Sequence, residues 1–231
     1  MQCLQRKIYA GSVMLVKHQS DRKSEKGKTR GKRENPTPLA VANYNEKLAE
    51  QRLRLQIAAN FGPEDYHATL TYQGDPPSRE DAKKELSNYL DRLRRICNRN
   101  GTELKYIYVT EWRNKRIHHH IILSGVSAKD AMKKWKRGHC RFTYLDPSGD
   151  YKGLAAYLIK ETKVNIREGL EGKRYQSSRN LKQPVVKEKV IKKWKPERAP
   201  KEYKHYALMD WENVVNPITG TLSQWAYYLR I

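Results

Sequence analysis

Three consecutive histidines, His118, His119 and His120, lie inside the apolar run "RIHHHIIL" and constrain the fold more than any other feature of the sequence. On a helix, His118 and His120 would point about 200° apart, whereas on a strand they share one face and His119 points to the other. The run follows a second strand-like segment, "KYIYVTEW", after the polar residues "RNKR". This order predicts a β-hairpin that turns at Asn114 and Lys115.

The predicted turn sets the register of the hairpin. It pairs Trp112 with Ile117 and Glu111 with His118, and directly opposed residues share a face with Cβ atoms roughly 4.5–5.5 Å apart. Glu111, His118 and His120 are therefore expected to converge. Two imidazoles and one carboxylate form a facial metal site with open positions. The alternative is a polar patch of histidines without an ion, and His119 is expected to pack on the opposite face.

Charge narrows the chemistry of such a site. The chain has 47 Lys and Arg against 25 Asp and Glu, a net charge of +22. This excess predicts a polyanionic partner, and 15 tyrosines and 5 tryptophans offer surfaces on which bases can stack. Of three chemistries open to a His-His-Glu site, the charge favours a Mg²⁺ or Mn²⁺ nuclease over an iron oxygenase or a zinc hydrolase. A basic domain without a specific partner is the alternative, and no apolar run has the length of a bilayer span.

Periodicity indicates alternating strands and helices over the first part of the chain. A strand is predicted around Val13–Val16, followed by a basic loop to residue 36 and a helix with Thr37 as N-cap and Pro38 at its first position. Another strand is predicted over 65–72. The next helix, which runs to about Asn98, is preceded by a capping box of Ser78 and Asp81.

Beyond the histidine hairpin the pattern continues. "SAKDAMKKWKRG" and "YKGLAAYLIKETK" are typical of helices, and "CRFTYLD" between them is typical of a strand. A short helix is possible over 186–194, and the aromatic tail from Tyr203 to Ile231 predicts a strand–turn–strand unit around "NPITG". The order β, α, β, β, α, β, α predicts an α+β fold with an antiparallel sheet covered by helices.

A nuclease needs a nucleophile, and the helix "GLAAYLIKE" offers Tyr157 with Lys160 at i and i+3 on one face. The alternative is that Tyr157 belongs to the core. A tyrosine with an ordinary pKa near 10 needs on the order of 4 kcal/mol to become a phenolate at pH 7.

These residues resemble the HUH endonucleases, in particular the single-tyrosine rolling-circle replication initiators (Rep proteins) of bacterial plasmids and phages. "HATLTY" (67–72), "HHH" (118–120) and "YLIK" (157–160) stand in the family's order, and the resemblance covers about 37–165. Two positions depart from the pattern. His119 occupies a place that is usually apolar, and Glu161 stands where a second tyrosine would be needed for a two-tyrosine relay.

The resemblance implies a ferredoxin-like, RRM-like core with a central antiparallel sheet of about five strands. It also implies a metal-dependent nick in single-stranded DNA, with Mn²⁺ or Mg²⁺ held by Glu111, His118 and His120. Tyr157 would remain linked to the 5′-phosphate, the freed 3′-OH would prime DNA replication, and Lys160 would stabilise charge. A closing step that uses Glu161 to activate a water or the 3′-OH is an open alternative to a plain surface carboxylate.

The partners implied are single-stranded DNA at a replication origin, with a hairpin, and a host helicase and polymerase. The helicase is expected to be a separate chain, because the sequence contains no Walker motif. The expected location is the bacterial cytoplasm, without a membrane. The residues expected to contact DNA are Thr69, Thr71, Tyr72, Arg179 and Lys182. A transposase or relaxase with the same chemistry, and a non-catalytic nucleic-acid-binding domain, are the competing interpretations.

Three regions are predicted. Residues 1–36 form an N-terminal strand and a flexible basic loop, and residues 37–165 form the endonuclease core. Residues 166–231 form a basic extension with a strand hairpin that packs on the core.

Overall fold

The computed structural model describes residues 3–20, 38–113, 116–162 and 173–231. The turn residues Asn114 and Lys115, most of the basic loop and Thr37 lie outside these ranges. The strands are β1 (Cys3–Ala10), β2 (Val13–Ser20), β3 (Tyr66–Thr71), β4 (Lys105–Arg113), β5 (Arg116–Ser124), β6 (Cys140–Tyr144), β7 (Gln176–Ser177), β8 (Val185–Ile191), β9 (Tyr206–Val215) and β10 (Leu222–Arg230). The helices are α1 (Leu39–Asn60), α2 (Arg79–Arg99), α3 (Ala128–Lys134) and α4 (Lys152–Glu161).

The strands form two antiparallel sheets of five strands each. Sheet A has the order β8-β1-β2-β10-β9, and sheet B has the order β6-β3-β5-β4-β7. The α+β class is confirmed, and sheet B is the central antiparallel sheet that was expected. Sheet A is an addition to that expectation, since strands from both ends of the chain combine in it. The predicted boundaries of the three regions stay a prediction.

The layers follow from the apolar faces of these elements. Helices α1 and α4 lie between the sheets, because one buried cluster contains residues of both sheets and both helices, including Leu15, Leu53, Val109, Leu158 and Trp225. We call the face of each sheet that is turned toward α1 and α4 its inner face. Helices α2 and α3 cover the outer face of sheet B through a second buried cluster.

The predicted start of α2 is confirmed, and α1 begins one residue later than predicted. The backbone N–H of Asp81 donates to Ser78 Oγ at 3.1 Å, which confirms the predicted cap of α2. Helix α1 begins at Leu39, so that Pro38 is its N-cap residue and not its first helical residue. None of the helices in the described ranges is long and apolar enough to cross a membrane.

One prediction at the ends of the chain is wrong and two are confirmed. The helix considered over 186–194 is wrong, because Val185–Ile191 is strand β8, which pairs with β1. The strand around Val13–Val16 is confirmed, but it is the second arm of a hairpin whose first arm is β1. The strand–turn–strand unit of the tail is confirmed as β9 and β10.

Candidate metal and nucleotidyl-transfer site

The predicted hairpin register is present in the structure. Glu111 on β4 lies directly opposite His118 on β5, and Trp112 lies opposite Ile117. Because side chains alternate along a strand, Glu111, His118 and His120 share the inner face of sheet B. Their ligand atoms all lie within 4.8 Å of one another.

The geometry of this cluster suits a single metal ion. The carboxylate oxygen Oε2 of Glu111 is 3.4 Å from His118 Nδ1 and 3.6 Å from His120 Nε2. Ligand atoms about 2.1 Å from one ion and at right angles to each other lie about 3 Å apart, so only small movements would close the site around a cation. Glu111 and His120 are buried, while His118 is partly exposed, which leaves one side open to solvent.

Helix α4 places a phenol beside the cluster. The hydroxyl of Tyr157 is 3.4 Å from His120 Nε2, and the two rings meet edge to face at 5.2 Å. Tyr157 is 42% exposed, whereas the next two residues of the helix are buried in the core. The alternative of a core tyrosine is therefore not what the structure has, since the ring stands at the rim of the site.

Charged contacts hold α4 in this position. Asp150, just before the helix, forms an ion pair of 2.7 Å with the buried guanidinium of Arg54 on α1. The same guanidinium lies 3.9 Å from the centre of the Tyr227 ring of β10. Lys152 in the first turn pairs with Asp210 of β9 at 2.5 Å. Sheet A thus contributes to the placement of Tyr157 without contributing a residue to the cluster.

Burial dominates the protonation of the site. It lowers the pKa of His120 to about 4. The charge of Glu161 raises this pKa, and the interaction with His118 lowers it. Burial raises the pKa of the Tyr157 phenol, and the carboxylates of Glu161 and Glu111 raise it further. His120 is therefore neutral at pH 7, as a metal ligand must be, and these groups disfavour the phenolate of Tyr157.

Strand β3 supports the cluster from the side opposite β4. Thr69 lies directly across from His120 and Thr71 across from His118, so both share the inner face. The hydroxyl of Thr69 is 3.4 Å from His120 Nδ1, the ring nitrogen that does not face Glu111. A partner at this nitrogen orients a ligand imidazole. The Thr71 hydroxyl donates to the backbone carbonyl of His139 at 3.2 Å.

Tyr72, the third residue expected to contact DNA on this segment, lies on the outer face of sheet B. Its hydroxyl is 2.8 Å from His119 Nε2, and its ring packs edge to face on Trp135 at 5.2 Å. The structure thus separates Tyr72 from the cluster and places it with His119, which lies on the face expected for it.

Arg179 and Lys182 are exposed and lie far from the cluster. The backbone N–H of Lys182 donates to Asn60 at the end of α1, and Asn180 donates to the carbonyl of Leu104, just before β4. Glu111 lies seven residues beyond Leu104, a strand length on the order of 20 Å. Lys160 is exposed one turn after Tyr157.

Two residues at the site, His67 and Arg141, were not among those predicted to form it, and Glu161 was raised only as an alternative. His67 stacks on His120 at 5.5 Å between ring centres, and burial together with the charge of His120 lowers its pKa to about 4. Arg141 of β6 lies opposite Thr69 on the inner face and is exposed. The charge of Glu161 acts on both Tyr157 and His120. Strand alternation in "HATLT" and "CRFTY" carries the signal for the first two residues.

Comparison with known proteins supports the resemblance at the level of the family. Residues 65–163 match the family described as replication-associated protein ORF2. This segment includes Glu111, His118, His120, Tyr157 and Lys160, and the match confirms a resemblance to replication-associated proteins. No curated protein and no solved structure matches the chain significantly.

Proposed function

We propose that the protein is a metal-dependent endonuclease and strand transferase that nicks single-stranded DNA at a replication origin through a phosphotyrosine intermediate on Tyr157. The observation that carries this proposal is the convergence of the Tyr157 hydroxyl with Glu111, His118 and His120 at one partly open spot. The match to replication-associated proteins over the same residues supports replication initiation as the biological context.

Each residue of the cluster has a role in this proposal. Glu111, His118 and His120 would hold Mn²⁺ or Mg²⁺, which as a Lewis acid offsets negative charge on the scissile phosphate. Thr69 holds the His120 ring through Nδ1, so that Nε2 faces the carboxylate of Glu111.

The transfer step balances as an exchange of one phosphoester for another. The phenolic oxygen of Tyr157 forms a bond to phosphorus, the bond from phosphorus to the 3′ oxygen breaks, and the 3′ end leaves as a hydroxyl after taking up a proton. The phenol loses its proton in the same step. Lys160, exposed one turn away, supplies positive charge near the transferred phosphate. Rejoining is the reverse exchange, with the 3′-OH as the attacking group.

The raised pKa of Tyr157 explains why such a reaction would depend on added positive charge. Burial and two carboxylates oppose the phenolate. A site that gathers a carboxylate and the neutral imidazole of His120 attracts a cation, and the cation would remove the effect of Glu111 on the phenol. Activity is therefore expected only with a divalent metal.

The test is the formation of a covalent protein–DNA adduct. The full chain is mixed with Mn²⁺ and labelled single-stranded DNA that spans candidate origins of its own replicon, and the products are denatured before electrophoresis. A DNA-linked band that needs metal and is absent in Tyr157→Phe supports the proposal. Tyr144→Phe is the matched control, because Tyr144 is 69% exposed and lies on β6 with its side chain on the outer face.

The same samples separate the enzyme from a binding module. A non-catalytic domain would bind the oligonucleotides in a native gel but form no adduct with Mg²⁺ or Mn²⁺, and Tyr157→Phe would change nothing. That result would end the nuclease proposal. Whether the DNA comes from a replication origin or a transposon end is decided by which oligonucleotides react.

A further inference from the structure

A polar cavity of about 230 Å³ lies on the inner face of sheet A, beside the N-terminal half of α1. Three cationic side chains line it, namely Arg6 of β1, Lys17 of β2 and Arg52 of α1. No carboxylate lines this cavity in the part of the chain that the structure describes. A water molecule takes up roughly 30 Å³ in the liquid, so the space admits a considerably larger group. We call it the Lys17 cavity.

The sheet register forces its positive charges together. Arg6 lies directly opposite Lys17 on one neighbouring strand, and Trp225 lies opposite Lys17 on the other. Like charges in this relation destabilise a sheet. Burial, and after it the charges of Arg6 and Arg52, lowers the pKa of Lys17 to about 8. Its ammonium group lies 4.3 Å from the centre of the Trp225 ring, a contact that supplies no negative charge.

The carboxylate of Glu188 relieves this crowding of positive charge only in part. Glu188 of β8 pairs with Arg6 at 2.5 Å, but both side chains are more than 40% exposed. Exposed ion pairs contribute little to stability, and Glu188 does not line the cavity. The fold therefore keeps an excess of positive charge at this place, which a bound anion would neutralise.

The positive surface continues beyond the Lys17 cavity. Arg52 also lines an adjoining opening of about 540 Å³, together with Lys173 and Arg174. The terminal nitrogen Nη1 of Arg174 is buried without a hydrogen-bond partner among the described residues. Arg174 thus adds a further cation beside Arg52 at this opening.

We propose that the Lys17 cavity is a phosphate-binding site, separate from the metal cluster, that takes a backbone phosphate of a nucleic-acid strand or a free phosphate. Guanidinium groups match the geometry of phosphate oxygens, and Arg6 and Arg52 present two of them. The hydroxyl-bearing residues Thr221 and Ser223 also line the cavity and can add neutral donors. The site does not depend on the nicking reaction, since it shares no residue with the cluster.

The experiment uses the full chain with EDTA, so that cleavage plays no part. Inorganic phosphate is titrated by calorimetry at constant ionic strength, and the affinity for a single-stranded oligonucleotide is measured over a range of salt concentrations. The variants are Lys17→Met, which keeps an apolar stem beside Trp225, and Arg52→Gln on the exposed side of α1. Lys83→Gln, an exposed lysine of α2, is the control.

Both variants are expected to weaken phosphate binding at least tenfold, while Lys83→Gln leaves it unchanged. If the ligand is a backbone phosphate, each variant also reduces the slope of log affinity against log salt by about 0.7, the value for one phosphate contact with a single strand. If phosphate binding falls but the DNA slope does not, the ligand is a free phosphate. Unchanged phosphate and DNA binding in two folded variants would overturn the proposal, whatever the adduct assay shows.

Discussion

The two faces of sheet B place the same residue type in opposite surroundings. On the outer face His119 is fully buried, with Nδ1 at 2.9 Å from the Thr110 hydroxyl and Nε2 at 2.8 Å from the Tyr72 hydroxyl. On the inner face His118 and His120 each point a nitrogen at the carboxylate of Glu111. Both ring nitrogens of His119 are hydrogen-bonded to neutral hydroxyls, so neither nitrogen is free to coordinate a metal ion. Alternation along one strand thus separates a structural histidine from two candidate metal ligands.

The largest effect is expected from the inner face. His118→Gln and His120→Gln should each lower adduct formation more than 100-fold with Mn²⁺, because each removes one of the three groups proposed to hold the ion. Electrophoresis of the denatured adduct measures this loss. His139→Gln is the control, since His139 is exposed and only its backbone carbonyl contacts Thr71. Near-normal activity in both ligand variants would remove the metal from the proposal.

Substitutions on the outer face should change the stability of the protein and not the formation of the adduct. His119→Ala removes the hydrogen bonds of the imidazole with the hydroxyls of Tyr72 and Thr110 and opens a cavity beside Trp135, at a cost of roughly 2–4 kcal/mol in the free energy of unfolding. His118→Ala, in which a partly exposed ring is removed, should cost less than about 1 kcal/mol. Urea unfolding of the metal-free proteins measures both. Equal losses would contradict the assigned difference between the faces.

The burial of His119 should also make the stability of the protein depend on pH. Burial, and then the charges of His120 and His118, lowers the pKa of His119 to about 3, below its ordinary value of about 6.5 in the unfolded chain. The unfolded chain therefore binds more protons between these values, and stability is complete above pH 6.5 and is lost as the pH falls toward 3. His119 alone contributes a slope of up to about 1.4 kcal/mol per pH unit.

Unfolding in urea at pH 7, 6 and 5, with EDTA present, measures this slope. His119→Gln should reduce it by close to one proton, while His67 and His120 keep part of it, because their lowered pKa values of about 4 act in the same direction. The slope is independent of the absolute stability of the variant. An unchanged slope would mean that His119 is not kept neutral by the fold.

The site hairpin was predictable because its information is local. Glu111 and His118 are seven positions apart, and one turn determines both their register and their face. The placement of Tyr157 over His120 was not accessible in this way. It depends on the ion pair of Arg54 with Asp150 and on the packing of α4 between two sheets, which only the assembled fold provides.

Sheet A was not predicted, because the pairing of its strands depends on contacts that are distant in the sequence. Its strand β8 is an edge strand with almost every side chain exposed, so it lacks the alternation that marks a half-buried strand. Its partner β1 lies about 180 residues earlier in the sequence, and no local pattern shows such a pairing. The like-charge pair of Arg6 and Lys17 is equally invisible until the register is known.

The smallest effect is expected at Arg141, which the sequence also did not bring forward. This exposed cation lies opposite Thr69 on the inner face. Single-stranded DNA that reaches the proposed site would come close to it. Arg141→Gln should weaken single-stranded DNA binding a few-fold and lower the salt slope by about 0.7, as one lost phosphate contact does. The control is Lys133→Gln on α3, the helix that covers the outer face. Salt-dependent binding curves that change equally in both variants would mean that DNA does not distinguish the two faces of sheet B.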